Sequence, residues 1–162
     1  MSPSAARADN ATLAAWRRLA RYPGGKTLFS KLVDFKAPYF GSAGAVIEVL
    51  EPNFAQLKLR KRRAVQNHIG TVHVIAICNM LEKAMGVCAE ASIPPHLRWI
   101  PKGMTLEYPA KATTDLTGTA EIDPAGWAPG ELPVVVTACD ASRAVVVQGT
   151  ILLWISEKKR RQ

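Results

Sequence analysis

The sequence predicts an α+β domain in which an antiparallel sheet of about six strands wraps one long buried helix. Three observations predict it. Residues 71 to about 90 are the one long helical candidate in the middle of the chain, and they leave almost no polar face. Two alternating segments precede that helix and four follow it. Short turns join successive strands, which therefore pair antiparallel, and a helix apolar all round is best covered by a curved sheet.

The elements follow in chain order. Asp9 or Asn10 can cap a first helix that runs to about Arg21 and carries Leu13, Trp16, Leu19 and Ala20 on one side; Tyr22-Pro23-Gly24-Gly25 stops it. An amphipathic piece from Thr27 to about Phe35 follows, ended by Pro38. The period then becomes twofold. Ala45, Ile47 and Val49 alternate with Val46, Glu48 and Leu50, and beyond Glu51-Pro52-Asn53 the apolar Ala55, Leu57 and Leu59 alternate with Gln56, Lys58 and Arg60. Thr71 is placed to cap the long helix. Strands are then expected at Met104–Tyr108, Ala112–Ile122, Val134–Cys139 and Arg143–Ile155, with the Gly/Pro-rich segment Asp123–Pro133 as a loop. Two strands, a buried helix and four strands describe a hotdog fold.

A length of 162 residues at 48% hydrophobic content supports one core, so we expect a single domain over 1–162, with residues 1–40 as an N-terminal helical segment and 156–162 as a basic tail. No stretch reads as a signal peptide or a bilayer span, so the expected location is the cytoplasm. Cys78, Cys88 and Cys139 are odd in number, lack a CxxC pair and lie among apolar residues, which fits reduced core thiols rather than metal ligands. The net charge of +8 is concentrated in Arg60–Arg63 and Lys158–Arg161, which hold eight of the 21 basic residues. No aromatic interleaving accompanies them, so nucleic acid is not the expected partner.

The unusual residue is Glu82. Its helical neighbours Cys78, Asn79, Met85 and Gly86 include no cation, and it falls on the stripe Ile75, Cys78, Met85, Ala89, where a desolvated carboxylate costs free energy. Rotating the helix would instead put Glu82 and Lys83 in solvent. Upstream, Asn67 and His68 lie in a loop, Gly70 permits close backbone approach, and the first N–H groups of the helix lack intrahelical acceptors. Such groups, at the positive end of the helix dipole, suit a carbonyl oxygen gaining negative charge.

The spacing Asn67-x-x-Gly70-x-x-His73-x8-Glu82 resembles the Asn-x-x-Gly-x-x-His-Gly-Gly…Asp/Glu signature of hotdog-fold acyl-CoA thioesterases of the phenylacetate-pathway type, and the chain is similar to the DUF4442 branch related to them. The resemblance implies acyl-CoA as substrate, no cofactor or metal, and assembly as a homodimer or homotetramer. It implies Glu82 as general base or nucleophile, Asn67 and His73 as catalytic partners that shape the site, and Gly70, Val74 and Ile75 as its carbonyl-binding turn. Arg62 and Arg63 are the expected phosphate contacts. Val74 and Ile75 stand where the signature has glycines, so a non-catalytic acyl-CoA-binding hotdog protein is the alternative. His73 can equally be a helix cap. Nucleophile elbows, P-loops, dinucleotide fingerprints and zinc motifs are absent from the sequence. His96, Asp115, Asp140, Ser142 and Arg143 read as structural, and Asp34 carries no assignment.

Overall fold

A computed structural model describes residues 10–159. Three N-terminal helices, α1 (Ala11–Ala20), α2 (Gly25–Lys36) and α3 (Phe40–Ala43), lead into β1 (Val46–Glu51) and β2 (Phe54–Leu59). A 3-10 turn (Arg63–Val65) precedes α4 (Val74–Ser92), and β3 (Leu97–Glu107), β4 (Leu116–Ile122), β5 (Gly130–Cys139) and β6 (Val145–Glu157) complete the chain. The strands form one antiparallel sheet in the order β1-β2-β4-β5-β6-β3. With α4 packed across its inner face, this is the hotdog arrangement.

The inward positions explain the wrap. Ala55, Leu57 and Leu59 of β2, Leu116, Ala120 and Ile122 of β4, and Val134 and Val136 of β5 are buried against Ile77, Met80, Leu81, Ala84 and Cys88 of α4. Gly118 lets the helix come close: a Cβ there would lie 2.7 Å from Met80 Cε and 3.2 Å from Leu81 Cδ2. Each fully buried Leu or Ile contributes about 1.5–3 kcal/mol of apolar transfer.

The Asn10 side chain caps α1, Oδ1 accepting from Leu13 N–H at 2.9 Å, and Nδ2 donates to Glu90 O at the end of α4. Asp9, the other expected cap, lies outside the described residues, as do Arg160 and Arg161 of the C-terminal basic block. Trp16 and Phe29 meet edge to face at 5.3 Å and join α1 to α2.

Several boundaries differ from expectation. The long helix starts at Val74 because His73, not Thr71, is its N-cap: Nδ1 accepts from Ile75 N–H at 3.1 Å. Thr71 instead receives Asn67 Nδ2 at 2.8 Å. Strand β3 begins at Leu97 rather than Met104; a register shift between Pro101 and Gly103 breaks the twofold pattern there. Residues 112–115 alternate in sequence but precede β4, and Gly130–Pro133, assigned to the loop, pair with β6 instead.

Candidate functional site

The least buried line along α4 is Ile75, Cys78, Glu82, Gly86 and Glu90, spaced three or four residues apart as one helix face requires. Met85 and Ala89, expected beside Glu82, are buried in the core; the helix is turned by part of a residue step from the predicted stripe. Glu82 is half-buried, and among the described residues it makes no hydrogen bond or ion pair. Its charge acts on Cys78: burial pushes that thiol above its ordinary value, a hydrogen bond with Tyr108 lowers it, and the nearby Glu82 charge raises it further.

Glu82 stands in the wall of a cleft of about 560 Å³ bounded by α1, α2, the start of α3, α4 and β3. Leu32, Val33 and Phe35 of α2, Met85 and Val87 of α4 and Trp99 of β3 give it an apolar lining, and its ionisable residues are Glu82, Glu90 and Lys36. Phe35 is 84% exposed at the cleft. Trp99 is held by its Nε1, which donates to Glu90 Oε1 at 2.9 Å. A volume in this range is typical of small-ligand sites.

The other predicted residues gather at the start of α4 and do not line this cleft. Asn67 ties its own turn: Oδ1 accepts from Ile69 N–H and Thr71 N–H, and Nδ2 donates to Thr71 Oγ1. Gly70 has φ +78°, a left-handed conformation this turn requires. His73 N–H donates to Val65 O and His73 O accepts from Ala76 and Ile77, so the histidine is bonded on both sides into the helix start. With Ile75 N–H taken by His73 Nδ1, the Val74 N–H is the first-turn donor for which the described residues supply no acceptor. Ile75 presents its side chain to solvent instead. Arg62 is engaged structurally, Nη2 donating to Ala43 O at 2.9 Å and Ser42 O at 3.4 Å, whereas Arg63 is exposed in the 3-10 turn. Among the described residues no cluster of three His, Cys, Asp or Glu side chains is placed to hold a metal, and no helix is long and apolar enough to cross a membrane.

Sequence reasoning missed the pairing of Lys83 with Asp34. The Lys83 side chain is 0% exposed and its Nζ donates to Asp34 Oδ1 at 2.5 Å and to Ala45 O at 2.7 Å. Burial lowers its pKa, against which Asp34 raises it. The residue that the alternative, rotated helix would put in solvent with Glu82 thus anchors α2, a wall of the cleft, to α4. One turn before Lys83, Asn79 donates Nδ2 to Tyr39 O at 3.0 Å while its buried Oδ1 has no partner among the described residues.

Solved structures share this fold. A structural-genomics crystal structure superposes with TM-score 0.78 at 39% identity, over 91% of this chain and 99% of that one. A protein of unknown function from Pseudomonas aeruginosa, described as a probable thioesterase, gives 0.73 at 22% identity over 85% and 97%. A thioesterase from Haemophilus influenzae gives 0.69 at 7% identity over 82% and 92%, a likeness of fold alone. No curated protein matches the chain. Residues 25–155 match the model of DUF4442, a domain of unknown function, and the chain belongs to that family.

Proposed function

We propose that the protein hydrolyses acyl-CoA thioesters, with Glu82 as the base that activates water or as the nucleophile that attacks the carbonyl. The observation that carries this reading is a half-buried carboxylate without a partner in the wall of an apolar cleft, since an unpaired acid is costly there without a use. The Val74 N–H, at the positive end of α4, supplies the donor for the developing oxyanion. Thioesterases among the structural neighbours support the reaction class.

One chain does not complete this site. Val74 and Glu82 are eight residues apart on α4, about 12 Å along the axis at 1.5 Å per residue, whereas both groups must come within about 3 Å of the reacting centre. A second copy, antiparallel across the α4 stripe, brings its Val74 to this Glu82. Exposed Ile75, Met104 and Tyr108 and the free edge of β3 favour such a homodimer. His73 and the turn held by Asn67 and Gly70 position the donor rather than react, and Arg63 remains available to the cofactor phosphates.

Thiol release over a panel of acyl-CoAs tests the reading. Glu82→Gln should cut turnover about 10²–10⁴-fold while leaving acyl-CoA binding measurable; an undiminished rate would remove Glu82 from the chemistry. The second reading, acyl-CoA binding without hydrolysis, is favoured by Val74 and Ile75 where the related signature has glycines. It expects thermal stabilisation by acyl-CoA and no thiol release from the wild type.

A further inference from the structure

We infer that Gly86 keeps the cleft open beside Glu82 for the hydrocarbon tail of an uncharged aliphatic acyl group; this deepens the proposed thioesterase reading and rests on it. A glycine inside a 19-residue helix is destabilising relative to alanine and so calls for a local reason. Two usual reasons are missing at Gly86. It is not among the glycines with positive φ. A Cβ built on it would meet nothing nearer than Trp99 Cη2, at 3.8 Å, an ordinary contact, whereas the Gly118 Cβ would collide with Met80. What lies over Gly86 is the cleft, which it lines one helical turn beyond Glu82.

The lining sets the occupant's chemistry. Walls from Leu32, Val33, Met85 and Trp99 offer hydrocarbon contact, and two carboxylates, Glu82 and Glu90, against one ammonium, Lys36, disfavour a tail that ends in a carboxylate. The cleft is a concavity walled by five elements of one chain, α1 to α4 and β3, with about 560 Å³ of space, and this suits a small ligand better than the broad face of about 800 Å² that a second protein copy needs. An acyl carbonyl at Glu82 then sends its tail over Gly86 toward Trp99 and α2.

The test reads binding, not turnover. Butanoyl-, octanoyl- and dodecanoyl-CoA are titrated by calorimetry into the full-length Glu82→Gln protein, alone and combined with Gly86→Ala or Gly86→Leu. In Glu82→Gln, affinity should rise with chain length, by up to about fourfold per methylene until the cleft is full. Gly86→Ala should raise the melting temperature, and Gly86→Leu should cut the preference for dodecanoyl over butanoyl by about tenfold or more, since its four carbons take the place of tail methylenes. Adipoyl-CoA should bind more weakly than hexanoyl-CoA. Affinity independent of chain length, or a Gly86→Leu protein with an unchanged preference, overturns the inference. Chain-length-dependent binding without thiol release from the wild type would remove the hydrolytic reading and leave this one standing; thiol release with flat binding would do the reverse.

Discussion

Replacing Lys83 by Met separates the energetics of the cleft wall from its chemistry. Methionine keeps much of the lysine stem and removes the ammonium, leaving Asp34, 19% exposed, without its cation and Ala45 O without its donor. Removing one member of a buried pair costs about 3–5 kcal/mol. Partial access of water to Asp34 argues for the lower end, so we predict a loss of about 3 kcal/mol. The double variant Asp34→Leu/Lys83→Met removes both charges, and replacement of a whole buried pair by apolar groups is often neutral or stabilising; it should be more stable than the single variant by about 2 kcal/mol or more. Urea unfolding at pH 7, with m-values compared, measures wild type, both single variants (Lys83→Met and Asp34→Leu) and the double variant, which completes the cycle. A single-variant cost below about 1 kcal/mol, or costs that simply add in the double variant, would refute the view that this pair clamps α2 to α4.

Other outcomes follow from the same packing. Gly118→Ala puts a methyl group 2.7 Å from Met80 Cε, the flexible end of a side chain that can shift, and 3.2 Å from Leu81 Cδ2, and should cost at most about 1 kcal/mol in thermal or urea unfolding. Asn10→Ala forfeits the α1 cap and the bond to Glu90 O, and should cost about 1 kcal/mol. Burial raises the Cys88 thiol to about 12 from an ordinary 9.0, so the folded state holds its proton longer than the unfolded chain does. The stability this group contributes is complete below pH 9 and declines as pH rises toward 12. Lys83, whose pKa is lowered, works in the opposite sense and gains stability as pH approaches 10.5 from its folded value. Unfolding of wild type and Cys88→Ala between pH 8 and 11 should therefore show a smaller alkaline loss in the variant.

Most of the fold was legible because it rests on period. The strand alternation at Ala55–Leu59 and Val134–Ala138 and the apolar helix 74–92 each signal burial directly, and together they leave few ways to cover α4. The boundaries were less legible where a local bond overrides a pattern. His73 outcompetes Thr71 as the cap because its Nδ1 reaches Ile75 N–H, and Pro101 with the register shift beside it hides the first seven residues of β3, 97–103. For the site, the run from Asn67 to Glu82 was visible as spacing, whereas the wall opposite Glu82 was not. That wall comes from α2, whose docking depends on an aspartate and a lysine 49 positions apart. A lysine inside an apolar helix reads as a solvated residue until its partner is placed. Gly86 likewise gains meaning once Trp99 and the empty volume between them are known.

Two helix positions decide whether the account is right, and a mixing experiment probes both. Val74→Pro deletes the proposed oxyanion donor at the first position of α4, where proline is tolerated; His73 before it, at φ −65° and ψ 132°, already has the extended backbone a following proline requires. Val74→Pro should lower turnover about 10²–10³-fold, and Glu82→Gln at least as much. Unfolded and refolded together in equal amounts, the two inactive proteins should regain about a quarter of wild-type thiol release. Half the dimers then hold both variants, and half the sites of each combine an intact Glu82 with an intact Val74 N–H from the other copy. Recovery of that activity is the predicted result; a mixture as inactive as its components, with mixed dimers verified, would contradict a site shared between two chains.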